Sequence, residues 1–131
     1  MKLKLHVFLS VALCLACSDV FAQSYRYDVP VTLEGVLVSS IADPEITYDE
    51  KSHQFPAVRL HKSISVLCAP TETDCQPELG VTLLHLVLKK PDMAKFKSLK
   101  GKPVKLNGTL FHSDNGHHFT SVLLDVGSII P

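Results

Sequence analysis

The sequence predicts a mainly β fold with one short helix. Apolar and polar residues alternate over several short stretches, which is the period of a half-buried strand. That period lengthens to three in one place, where Met93, Phe96 and Leu99 recur between Pro91 and Gly101. No repeat, low-complexity tract or linker divides the chain after residue 22, so residues 23–131 are expected to form a single domain.

Residues 1–22 read as an export signal. Met1-Lys2-Leu3-Lys4 supplies two positive charges, and the run Leu5 to Cys17 is apolar except at His6 and Ser10. Val20-Phe21-Ala22 then offers a cleavage site before Gln23. An alternative route would lipidate Cys17, but it calls for a large aliphatic residue where Cys14 stands, and ordinary cleavage is favoured. The apolar run is shorter than the ~20 residues a bilayer span needs, and no second long one follows. The expected product is periplasmic or extracellular, without a transmembrane span.

The strands follow in order. Residues 30–38 read as the first, and the polar stretch 39–54 as a long loop. Val58, Leu60, Ile64 and Val66 alternate with Arg59, His61, Ser63 and Ser65 in the second, and residues 81–88 are more evenly apolar, as in a central strand. Pro91-Asp92 opens the helix and Gly101 closes it. Val104, Leu106 and Leu110 mark the fourth strand, and Thr120, Val122, Leu124 and Val126 the fifth. Five strands with the helix between the third and fourth suggest a small OB-like Greek-key barrel, the oligonucleotide/oligosaccharide-binding architecture.

Cys68 and Cys75 remain after cleavage, with six residues between them, and in an oxidising compartment are expected to form a disulfide. A thiolate metal pair is the weaker alternative, because the spacing is wider than the usual two to four residues.

The segment joining the last two strands, His112-Ser113-Asp114-Asn115-Gly116-His117-His118, holds three of the chain's seven histidines. A three-residue turn Asp114–Gly116, with Gly116 left-handed, would pair Leu106 with Leu124 and Val104 with Val126. It would also set His112 opposite His118 at about 4.5 to 5.5 Å between Cβ atoms, with His117 facing away. Such a pair is half of a zinc or copper site, which His85, His61, His53, Asp114 or Asp125 would have to complete. The favoured alternative is that the two imidazoles cap the barrel end through hydrogen bonds to each other, a carbonyl or Thr120.

Removing residues 1–22, which hold Lys2, Lys4 and Asp19, leaves 11 basic and 12 acidic residues, so net charge selects no polyanion. Seven of the basic ones are lysines between Lys89 and Lys105; Lys95, Lys97 and Lys100 are candidate ligand contacts, although a solvated helix face is the plainer reading. Phe96 alone interleaves with them, so stacking on single-stranded nucleic acid is disfavoured. Tyr25, Tyr27 and Tyr48 lie in segments read as irregular and are further candidates for a ligand surface. There is no glycine-rich phosphate loop, serine nucleophile motif or recognisably spaced carboxylate pair, and no catalytic residue is assigned. The expected function is a non-enzymatic binding module for a small ligand or an envelope protein, with His117 among its contacts. A metal-binding protein or metal-dependent enzyme using His112 and His118 is the alternative.

Gly108-Thr109-Leu110-Phe111-His112, Gly116-His117-His118 and Val122-Leu123-Leu124-Asp125-Val126 resemble the C-terminal signature of the domain-of-unknown-function family numbered 4431, a family of exported bacterial proteins. Leu60 to Val66 and Leu99 to Val104 are also similar to its pattern, so that the resemblance spans most of residues 23–131. Ser63 stands where proline is expected, and Phe119 where a further histidine is usual. The resemblance implies an exported location and a shared architecture, without an assigned activity.

Overall fold

The computed structural model describes residues 23–131. The expected export signal, the expected cleavage before Gln23 and Cys17 lie outside the described residues. The fold is mainly β, with six strands in one sheet and a single α-helix among the described residues. The strands are β1 (Gln23–Arg26), β2 (Pro30–Ala42), β3 (His53–Leu67), β4 (Glu78–Val87), β5 (Pro103–His112) and β6 (Val122–Ile130), with α1 (Lys90–Leu99) between β4 and β5.

Hydrogen-bonded neighbours run β1-β3-β2-β5-β6-β4, and β4 pairs again with β3. The pairings therefore return to their start through β2, β3, β4, β6 and β5. All of these contacts are antiparallel except β4 with β6. The extra strand is β1, which lies parallel to β3 and aligns Gln23 with Ile64. Its four residues show no alternation long enough to register as a strand in sequence.

The inward faces follow the expected alternation. Leu33, Leu37, Val58, Leu60, Ile64, Val66, Leu84, Leu86, Val104, Leu106, Leu110, Leu124 and Val126 join one buried cluster. Each fully buried aliphatic side chain contributes roughly 1.5 to 3 kcal/mol. Phe96 is the buried residue of α1, with Leu99 packed partly against the same cluster. Gly101, at φ 84°, takes the left-handed position that ends the helix. The chain there is fastened to β2 through Gly101 N donating to Leu37 O (2.7 Å) and Leu37 N donating to Lys102 O (3.3 Å). Tyr27, read from sequence as a loop residue available to ligand, is 2 % exposed and belongs to the core.

Two expectations need correction. β2 and β3 extend into the stretch expected to be loop, leaving residues 43–52 between them. The cause is a second small cluster, Ala42, Phe55 and Ala57, buried beneath Val38, Leu83 and Phe119. It gives the polar strand ends around Ser39 and Ser40 something to pair over.

The β5–β6 register is also displaced. Leu110 faces Leu124, His112 faces Val122, and beyond an irregularity at Asn107/Gly108 Leu106 faces Ile129. The displacement is even at the turn end, so inward residues stay inward. In the observed register Val122, Leu124, Val126 and Ile129 are all essentially buried, the last at 1 % exposure. The expected turn would have carried Ile129 past the start of β5. The connection is accordingly residues 113–121, and Val122 rather than His118 opposes His112.

Candidate functional site

Two loops meet. In residues 43–52, Asp43 accepts from Glu45 N (3.0 Å) and caps the 3-10 turn Pro44–Ile46. Buried Thr47 accepts from Lys51 N at 3.1 Å through its hydroxyl oxygen, which also lies 2.8 Å from Lys51 O. This internal bonding holds Tyr48 and Asp49 outward, Tyr48 at 57 % exposure. Asp49 Oδ1 lies 2.7 Å from His53 Nε2, and that hydrogen bond keeps the Asp49 carboxyl below its ordinary range.

Residues 113–121 are closed by Ser113 N donating to Ser121 O (3.0 Å). Asn115 organises the tip: its Oδ1 accepts from His117 N (2.9 Å) and its carbonyl from His118 N (3.1 Å). Gly116 does not take the left-handed conformation expected of it; among the described residues the glycines at positive φ are Gly80 and Gly101. Its role is close approach, since a Cβ there would lie 2.6 Å from Tyr48 Cβ.

A row of rings results. His117 lies 4.2 Å from Tyr48 between centroids, Tyr48 5.3 Å from His53, and His53 5.5 Å from Phe119. Phe119 then stacks on His85 at 5.4 Å with planes 4° apart. His85 Nδ1 accepts from Phe119 N (3.2 Å), so the proton of the neutral ring resides on Nε2. Burial, reinforced by neighbouring His118, lowers the His85 pKa to about 4. Phe119 therefore supplies a flat hydrocarbon surface between two imidazoles.

His112 and His118 have different surroundings. His118 Nδ1 lies 3.0 Å from Asp114 Oδ1 and 3.1 Å from Asp114 N, and its ring meets Phe111 and His85 edge-on. His112 stacks on Tyr27 at 3.7 Å, with Nε2 3.0 Å from Cys75 Sγ. Cys68 and Cys75 form the expected disulfide. A groove of about 520 Å³ is lined by both His112 and His118, together with Glu78, Phe119 and Thr120. Among the other proposed ligands, His53 is engaged by Asp49, and His61 and Asp125 are exposed.

The lysines are also divided. Lys95 Nζ donates to Ile129 O (3.1 Å), tying α1 to the end of β6. Lys97 and Lys100 are exposed. The ring row and the Cys75–His112 contact were not found in the sequence. Tyr48 and His53 are distant in the chain from His85 and from the 113–121 loop, and only the tip histidines clustered visibly.

The C-terminal part of the chain matches a known family. Residues 83–130 match the model described as Domain of unknown function (DUF4431). The matched span runs from β4 through the 113–121 loop to β6, taking in His85, His112, His117 and His118 but not the segment Leu60–Val66 or the cysteines. No curated protein and no solved structure matches the chain.

Proposed function

We propose that the chain is an exported, non-enzymatic binding module with an OB-like Greek-key barrel, whose ligand surface is the ring row on loops 43–52 and 113–121. The returning circuit β2-β3-β4-β6-β5, with α1 between β4 and β5, supports the barrel reading; β1 is an addition to it. In that architecture ligands meet the connections between strands one and two and between strands four and five. Those connections correspond here to residues 43–52 and 113–121.

The observation that carries the proposal is the contact between Tyr48 and His117, which joins the two loops into one partly exposed aromatic surface. Flat rings beside the carboxylates of Asp49 and Asp114 suit a sugar: apolar ring faces stack, and hydroxyls donate to the carboxylates. A glycan of the cell envelope is the ligand class that also fits the export signal. Among the described residues no helix is long and apolar enough to cross a membrane.

Titration of isotope-labelled protein with soluble envelope glycan fragments tests this. The resonances of Tyr48, His117 and Phe119 should move together, and Tyr48→Ala should weaken the response. Movement confined to Lys97 and Lys100, or glycan turnover that vanishes in His112→Ala, would count against it.

A further inference from the structure

The Cys68–Cys75 disulfide is not isolated. Donor atoms of Cys68, Glu72, Cys75 and His112 lie within 4.8 Å of one another. Four ligands around a tetrahedral zinc, with bonds of about 2.0 to 2.3 Å, are separated by roughly 3.3 to 3.8 Å, so the cluster needs only small movements to enclose an ion. Two sulfurs, one imidazole nitrogen and one carboxylate oxygen form a donor set that favours zinc over hard cations. We propose that this cluster is a thiol-gated zinc site, closed while the disulfide is intact and opened by reduction.

Two further observations point the same way. The Tyr27 hydroxyl is buried without a hydrogen-bond partner, although its ring stacks on His112. That unpartnered hydroxyl, on a ring packed against the ligand His112, is available to a metal-bound carboxylate or water. The approach is open as well: Glu72, Asp74, Cys75, Glu78 and His112 line a groove of about 640 Å³ at the protein surface. Three carboxylates along this groove favour cation entry.

The chemistry balances with a dithiol as reductant. The dithiol passes two electrons and two protons to the bridge, becoming a disulfide itself, and Cys68 and Cys75 become thiols. Zinc then displaces those two protons and binds both thiolates. In the disulfide state the sulfur near His112 carries no proton, so His112 Nε2–H is the donor. Zinc requires the Nε2 lone pair, and the ring proton therefore moves to Nδ1. The Cys68 and Cys75 Cα atoms are 5.9 Å apart, close enough for both side chains to reach one ion without separating the strands.

The site is independent of the proposed glycan surface, because it uses the β3–β4 connection and the other end of the 113–121 loop. The test uses the full chain, oxidised and after treatment with a dithiol, with Co²⁺ as a spectroscopic substitute and Zn²⁺ counted by elemental analysis. Reduced protein should bind about one equivalent with thiolate-to-cobalt charge transfer, and oxidised protein less than about a tenth. Glu72→Gln, at an exposed position, should weaken binding by roughly tenfold or more with the fold intact by circular dichroism. Equal binding in both redox states, or none in either, overturns the proposal. Should reduction unfold the chain, cobalt bound equally well by His112→Ala also overturns it, since free thiols alone would then be the ligands.

Discussion

The end of β5 and the 113–121 loop that follows it place the same side chain in opposite settings. His112 lies against a disulfide sulfur and a buried tyrosine ring, whereas His118 lies against the carboxylate and backbone of Asp114. Six residues of sequence separate them, yet one belongs to a sulfur cluster and the other borders an aromatic loop face. Histidine proximity in sequence therefore says little about shared chemistry. What each imidazole can do is set by the element packed against it, which is the β3–β4 connection for His112 and the 43–52 loop with β4 for the histidines beyond the tip.

Each setting can be disrupted separately, and the sulfur end should give the largest effect. Replacing both Cys68 and Cys75 with alanine should destabilise the protein by about 2 to 3 kcal/mol, from loop-closure entropy restored to the unfolded chain. Denaturant unfolding under oxidising conditions measures it. The glycan response of the loop face should survive, and its loss would show that the two regions are one site.

A smaller effect is expected at the loop face itself. Gly116→Ala puts a methyl group against Cβ and Cα of Tyr48, and separating the loops should cost about 1 to 2 kcal/mol. Aromatic ring-current shifts between Tyr48 and His117 should diminish in the same variant. Unchanged shifts would mean that the close approach does not hold the rings together.

The smallest effect is a pH dependence. Because the His85 pKa is lowered from 6.5 to about 4, the unfolded state takes up the proton first as pH falls. This penalty is absent above the unfolded value and grows as pH drops from about 6.5 towards 4. Solvent screening of the half-buried ring reduces it to about 1 kcal/mol or less. His85→Phe, which preserves the stacking on Phe119, should flatten the acid side of the stability profile relative to the parent. Identical profiles would remove His85 as its source.

The parts of the fold legible in the sequence are those where one periodicity dominates. Val58 to Val66, the apolar run of β4 and the helix around Phe96 all appear where alternation or threefold spacing placed them. The Cys68–Cys75 bridge was legible from composition and spacing. The β5–β6 register was not, because Leu110 has an inward residue opposite it after any even shift; the decision came from Ile129 at the far end. The ends of β2 and β3 were hidden because Ser39, Ser40 and Gln54 look like loop residues until Phe55 and Ala42 are buried together. The candidate site was least legible. His112 meets Cys75 across 37 positions and His85 meets Phe119 across 34, and no local pattern encodes either encounter.

The division of the histidines is tested most directly by comparing their imidazole resonances by two-dimensional NMR with the disulfide intact and then reduced. Reduction should move the His112 resonances, because that ring lies against Cys75, and leave those of His117, His118 and His85 in place. His112 and His118 resonances moving together on reduction would contradict the division.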